Sequence, residues 1–240
     1  MVFPGGSAPP SGERYWRVLV HDRFDGRRWS APQPQPAAGW TSSGNRSPTG
    51  TGNLLQIWIH EASGLAALPW GGVGQPASPG IRLSDEGELR ARGSTLRRRL
   101  YGIAAGRNTW RDRPPGPVDR ELPRGLNSRL ETLGRSWASL GPPPARLAAA
   151  ERWFREQPFR YSLSPGTLPQ AAPLDSFLFE QRIGFCGHYA SAYAALMRAA
   201  GVPARVVSGY RGGEWVQPLG GPGYLELLQS DAHALSLIHI

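Results

Sequence analysis

The sequence predicts an α+β protein in which strands come first and helices follow. Three observations carry that reading. Residues 15–120 hold short runs rich in β-branched and aromatic residues, separated by turn-forming Gly and Asp. The stretch RPPGPVD, 113–119, marks a shift in composition. Beyond it, apolar residues recur at three- and four-residue steps, the period of a helix that buries one face.

Taken in order, residues 1–14, MVFPGGSAPPSGER, are rich in Pro and Gly and read as a linker leading out of an upstream segment. Residues 15–120 form the β-rich module. Tyr15 to Val20 is a strand, and Asp25-Gly26 is a hairpin turn, because Gly accepts positive φ at no steric cost. Leu54 to Ile59 is a second strand, GIRLSDEGELRAR is a pair turning near Gly87, and Leu96 to Ile103 alternates as a further strand.

From 121 to 234 the pattern changes. Leu126, Leu130, Leu133, Trp137 and Leu140 lie on one helical face, and PPPARLAAAERWFREQ gives a second helix opened by proline. FRYSLSP is a short strand, and Asp175 is placed to cap a brief helix from Phe177 to Glu180. A third long helix opens at Cys186 and stops at Gly201 and Pro203, and GYLELLQSDA then reads as a strand.

Composition limits the function classes. The chain has 240 residues with 40% hydrophobic content, enough for a core; 31 glycines and 24 prolines require many turns. The formal net charge is +9 and every basic residue is arginine. The arginines are scattered, with one run at Arg97–Arg99 and a looser group from Arg107 to Arg120, and no nucleic-acid module accompanies them. No apolar run approaches the roughly 18 residues that span a bilayer, and the N-terminus lacks the pattern of a signal peptide, so the chain as it stands is expected to be soluble.

Cys186 is the only cysteine. A lone thiol excludes an internal disulfide and a multi-cysteine metal site, and leaves a structural thiol, a surface thiol or a nucleophile. No cofactor and no metal are expected. At a helix start the free N–H groups and the helix dipole favour a thiolate and can receive an oxyanion. Gly184, Gly187 and Ala190 leave room for a substrate. A nucleophilic thiol needs a base, and the chain has five histidines: His21, His60, His188, His233 and His239. His188, two residues on along the same helix, faces another direction. His233 follows a strand and is separated from Cys186 by enough chain to return beside the helix start. His21, His60 and His239 are expected to lie far from the thiol.

The stretch DSFLFEQRIGFCGHYASAYAALMRAAGVPARVVSGYRGG, followed by SDAHA, resembles the transglutaminase-like superfamily. Its shared features are a Gly-x-Cys opening a helix, AGVPARVV-x-GY after it, and a His on the next strand. ERYWRVLVHDRFDGRRW resembles, more loosely, the β-rich segment that precedes the core in bacterial membrane-anchored members. The resemblance implies a papain-like core with the Cys186 helix packed on an antiparallel sheet, and a reaction in which Cys186 attacks an amide carbonyl of a protein or peptide substrate while His233 relays protons. The product is a thioester, passed to an amine or to water. It also implies a downstream Asp orienting His233, an aromatic residue near the site at Tyr161, and a periplasmic core in a membrane-anchored parent. The chain departs from the family pattern after His233-Ala234: LSLIHI follows, and Asp231 sits where its carboxylate would struggle to reach the imidazole. Residues 235–240 are therefore expected to be a tail foreign to the fold, the core over 121–234 to be C-terminally incomplete, and the chain to be weak or inactive. Two other classes stay open: a non-catalytic protein-interaction module of the same fold, and a basic nucleic-acid-binding protein using the arginines from Arg97 to Arg120.

Overall fold

The computed structural model of the chain describes residues 1–3, 5–32, 54–59, 67–91, 99–104 and 112–240. His60, Arg97, Arg98 and Arg107 lie outside them. In chain order the strands are β1 (Tyr15–His21), β2 (Arg23–Phe24), β3 (Trp29–Ser30), β4 (Leu54–Ile59), β5 (Ala67–Leu68), β6 (Gln75–Pro76), β7 (Ile81–Leu83), β8 (Leu89–Ala91) and β9 (Arg99–Ala104). The helices α1 (Ser128–Ala138) and α2 (Pro143–Glu156) follow, then β10 (Arg160–Tyr161), α3 (Pro173–Ser176), a single π-helical turn at Phe177–Gln181, and β11 (Ile183–Gly184). The chain closes with α4 (Cys186–Ala199), β12 (Ala204–Arg211), β13 (Glu214–Val216), β14 (Tyr224–Glu226) and β15 (Ala232–Ile238).

Two compact units form. One comprises Met1–Leu19, Gln33–Arg113 and Gly209–Ala232; the other comprises Val20–Pro32, Pro114–Ser208 and His233–Ile240. Strands β1, β12 and β15 form a sheet in the order β1–β12–β15.

The first unit is β-rich, with sheets ordered β4–β9–β6 and β5–β8–β7 and a hairpin β13–β14. Its core gathers Ile57, Leu68, Trp70, Leu89, Tyr101 and Ile103. Along β9, Tyr101 and Ile103 point inward while Leu100 is 48% exposed, because the Tyr101 hydroxyl finds the Pro69 carbonyl and its ring fills the core. Gly87 at φ 73° makes the turn between β7 and β8 that the sequence predicts, and its carbonyl accepts from Trp70 Nε1 at 3.0 Å.

The second unit packs α1, α2 and α4 around one core, with Leu130, Phe177, Leu178, Ala194, Leu196 and Met197 at 0% exposure. The predicted helix over Leu126–Leu140 is shorter at both ends. Asn127 holds the N-cap position of α1, so Leu126 lies before the helix and packs over Gly26; Leu140 lies past the C-cap Ser139 and is 50% exposed. The Asp25-Gly26 turn joins β2 to β3 as a hairpin, with Phe24 opposite Trp29 and Gly26 at φ 95°.

Asp175 caps a different helix from the one its position implies. It lies inside α3, and its carboxylate accepts from Arg129 N at 3.0 Å and Leu130 N at 2.8 Å, the second and third residues of α1. Asn127 answers: its Oδ1 accepts from Leu174 N at 3.0 Å at the start of α3, while its Nδ2 donates to Gly26 O at 2.8 Å. Two helix starts are thus capped by each other's side chains, satisfying donors that no intrahelical carbonyl reaches.

Helices α1 and α4 lie close because neither carries bulk at the crossing. A Cβ on Gly134 of α1 would overlap Ala199 Cβ and stand 2.8 Å from Leu196 O. Helix propensity alone favours Ala over Gly by about 1 kcal/mol. Forcing a methyl into a closed crossing costs about 1–3 kcal/mol and outweighs it. Gly134→Ala is therefore expected to lower Tm by roughly 2–8 °C; a raised Tm in a thermal melt would show that the crossing has slack.

Candidate active site

The segment leading to Cys186 is held by unusual backbone. The π turn at Phe177–Gln181 ends at Arg182, whose φ of 53° makes it the one non-glycine residue in the left-handed region among those described. Arg182 N donates to Phe177 O at 3.0 Å and its Nε to Leu178 O at 3.2 Å, so side chain and main chain both close the turn. Beyond it β11 runs parallel to β10, with Arg160 N donating to Arg182 O at 2.8 Å and Ser162 N to Gly184 O at 2.9 Å. Phe185 then takes the extended N-cap conformation and Cys186 becomes the first residue of α4, its side chain half-buried. Single π turns recur at functional sites, where they re-aim the chain.

His188 belongs to this support. Its Nδ1 accepts from Phe185 N at 3.3 Å, so the third residue of α4 caps the helix start from its side chain. Accepting at Nδ1 places the ring proton on Nε2 in the neutral form. Burial lowers its pKa below the ordinary imidazole value, so the fold holds the neutral ring. The imidazole stacks on Phe177 with centroids 5.5 Å apart and meets Phe185 edge-on at 4.3 Å.

The two glycines beside the thiol serve this packing and do not hold open space. A Cβ on Gly184 would come 2.7 Å from Phe177 Cε2 and 2.8 Å from His188 Cβ, and one on Gly187 would come 2.9 Å from Phe185 Cε2. Ala190 is 5% exposed within the core. Aromatic rings thus stand where side chains on Gly184 and Gly187 would go, while Gly187 also lines the cleft beside the helix.

His233 is the second residue of β15 and is half-buried. Ser236 Oγ donates to Ala190 O at 2.9 Å and His239 N donates to Pro203 O at 3.1 Å, so the later part of β15 lies against α4 and the segment that follows it. Ala234 and Ile238 pack on the core, and strand alternation gives them and Ser236 the face towards α4, with His233 of opposite parity at the strand's opening. β15 stands last in the order β1–β12–β15 and includes Leu235 to Ile238. Asp231 is committed elsewhere: its Oδ2 accepts from Leu228 N at 2.8 Å, capping its own turn. Tyr161 pairs with Gly184 in register, is 59% exposed, and stacks on Tyr189 of α4 at 6.3 Å.

A cleft of ≈ 420 Å³ lies beside the helix start, lined by His21, Trp29, Phe185, Gly187, His188, Ser191, Ser208 and Ala234. His21 Nε2 is 2.9 Å from Ser208 Oγ, and Trp29 Nε1 donates to Ser191 Oγ at 2.9 Å. Burial lowers the His21 pKa against a smaller opposing effect of Asp22, and its Nδ1 is buried without a partner. Sequence reasoning missed this wall. Its signal is HDRFDGRRW, which places His21 and Trp29 on either side of a tight hairpin and so brings both to one surface. No three His, Cys, Asp or Glu side chains among the described residues come together to hold a metal ion.

A model of the transglutaminase-like superfamily matches residues 133–238, and a model of the TgpA N-terminal domain matches residues 2–112. The periplasmic domain of TgpA from Pseudomonas aeruginosa, solved bound to ethylmercury, superimposes with a TM-score of 0.78 at 33% identity, covering 97% of this chain and 81% of that one. The chain belongs to the transglutaminase-like superfamily. A second structure of that periplasmic domain gives a TM-score of 0.77 at 34% identity. Among curated proteins, a protein-glutamine gamma-glutamyltransferase of Pseudomonas aeruginosa is 37% identical over 237 residues, which are 95% of this chain and 34% of that protein. An uncharacterized protein YebA of Bacillus subtilis is 34% identical over 118 residues. The chain thus spans about a third of the glutamyltransferase's length. The transglutaminase-like match contains Cys186 and His233, and the TgpA match contains the hairpin with Trp29. No helix among the described residues is long and apolar enough to cross a membrane.

The cap on α4 makes stability depend on pH. The folded pKa of His188 lies below its unfolded value of 6.5, so its contribution is present above pH 6.5 and is lost as pH falls through the folded value. His188→Gln keeps an acceptor at the cap and removes the titration. Melting curves from pH 7.5 down to 5 are expected to fall more steeply for the parent than for His188→Gln; parallel curves would mean that the ring does not serve as the cap.

Proposed function

We propose that the chain catalyses acyl transfer from protein-bound glutamine through a thioester on Cys186. The observation that carries this is the position of the sole cysteine as the first residue of a helix whose later turns are buried, with its side chain still reachable. The N–H groups of Cys186 and Gly187 make no hydrogen bond among the described residues, and they supply donors for an oxyanion at that carbonyl.

The Cys186 thiol gives its proton to His233, and Sγ bonds to the γ-carboxamide carbon. The tetrahedral intermediate collapses with breakage of the C–N bond, and the departing ammonia takes the proton from His233. An amine then attacks the thioester carbonyl, the C–S bond breaks, a new amide forms, and the thiolate regains a proton; water in the amine's place gives hydrolysis. Asp231 caps its own turn and is not assigned as the orienting carboxylate. In triad enzymes the loss of that carboxylate costs on the order of 10⁴-fold in kcat. The match to a periplasmic domain supports a periplasmic site of action in a membrane-anchored parent, and Tyr161 is assigned to the site's rim.

The test follows ammonia release and incorporation of a labelled amine into a glutamine-containing protein. Cys186→Ala is expected to abolish both signals, and His233→Ala to reduce them by about 10²–10⁴-fold while leaving Tm unchanged. Equal signals from the parent and Cys186→Ala would contradict the reading and leave a non-catalytic interaction module.

A further inference from the structure

The cleft beside α4 has a one-sided charge. The titratable side chains that line it are His21, Arg27, Arg28 and His188, and none of its lining residues is acidic. Burial keeps both histidines towards the neutral form, so the standing charge at the cleft is that of the two arginines.

Both guanidinium groups are exposed in the β2–β3 turn. Arg27 donates from Nε to Gln170 O at 2.8 Å, which fixes its stem against the opposite lip and leaves its terminal amino groups without a hydrogen bond among the described residues. The Arg28 side chain makes no hydrogen bond or ion pair among them. The neighbouring carboxylates cancel this charge only in part. Asp25 accepts from Arg27 N and Arg28 N at 2.7 Å each, and its charge offsets part of theirs; it does not line the cleft, and Asp22 is 5% exposed, so the cleft keeps a net positive charge. The walls supply apolar and hydrogen-bonding surface: Trp29, fixed by Ser191 and stacked on Phe24 at 4.7 Å, faces the cleft with Phe185, and the neutral His188 ring carries a proton on Nε2.

We propose that this cleft seats an acidic segment of the protein substrate, flanking the glutamine whose side chain reaches Cys186. Carboxylates of that segment meet Arg27 and Arg28, and an apolar residue lies between Trp29 and Phe185. This rests on the acyl-transfer reading above. It commits to an anionic occupant because two exposed guanidinium groups on a cleft with no acidic lining repel an ammonium-bearing one by the same interaction that draws a carboxylate.

Binding is measured by anisotropy of labelled glutamine peptides on the Cys186→Ala chain, so that the result does not depend on turnover. Three peptides share one core and carry Asp and Glu, Ser, or Lys at the flanking positions. The acidic peptide is expected to bind about five- to tenfold more tightly than the serine peptide, as two exposed ion pairs of up to about 1 kcal/mol each allow. Most of that preference should vanish at about 0.5 M salt. The double substitution Arg27→Gln with Arg28→Gln should abolish the preference and leave the serine peptide's affinity within about twofold. Equal affinity for the three peptides, no detectable binding of any of them, or a preference that survives the double substitution would overturn the proposal. Turnover of glutamine peptides without charge preference would overturn it while leaving the acyl-transfer reading intact; charge-selective binding without turnover would do the reverse.

Discussion

The second unit is organised by one constraint: the later turns of α4 must be buried while its first turn stays reachable. Ala192, Ala194, Ala195, Leu196 and Met197 are all at 0% exposure, yet Cys186 at the head of the same helix is half-buried. Small residues make this possible. A run of alanines lets α1 approach closely at Gly134, and apolar burial of such a helix is worth roughly 25 cal/mol per Å² removed from water. Arg198 fixes the far end. Its guanidinium donates to Ala204 O at 2.9 Å, Glu121 O at 2.8 Å and Asp22 O at 2.6 Å, and lies over Trp29 at 4.5 Å. Burial pushes its pKa down to about 10, against the opposing pull of Asp119, Asp22 and Glu121, so the charge persists at neutral pH. The buried pair of Arg205 with Asp119, at 2.8 and 3.0 Å, fixes the second residue of β12 close behind.

With the far end anchored, the near end is set by interlocking caps. Asn127 and Asp175 each satisfy the other's helix, so α1 and α3 begin at positions fixed by one another. The π turn that follows α3 ends at Arg182, and the parallel pairing of β10 with β11 delivers Phe185 in the extended conformation from which α4 can start. His188 closes that start. The thiol's position thus depends on side chains reaching back across several segments, which is the supporting shell a site held to sub-ångström tolerance requires.

Much of this was legible in the sequence. The helix boundaries from Cys186 to Gly201 follow from apolar periodicity and from Gly and Pro punctuation, and the family resemblance rests on the same residues. The strands at Tyr15 and Leu54 and the Gly87 turn were legible for the same local reasons. What was not legible is non-local. Asp175 reads as a cap for its own helix because sequence shows only neighbours, whereas its partners lie on α1. Gly184 and Gly187 read as open space because a missing side chain looks like room until the rings of Phe177, Phe185 and His188 are placed. Leu140 fits the helical period but lies past a stop whose position depends on Ser139 and the following prolines. The wall made by His21, Trp29 and Ser208 needed β1, the hairpin and β12 to be assembled first.

The central claim is that the head of α4 presents a thiol that takes an acyl group from glutamine. Intact mass spectrometry after brief incubation with a glutamine peptide, followed by acid quench and peptide mapping, tests it most directly. The account predicts an adduct of the peptide mass less ammonia, mapped to Cys186 and removed by hydroxylamine. An unmodified Cys186 in a folded chain, or an acyl adduct on another residue, would contradict it.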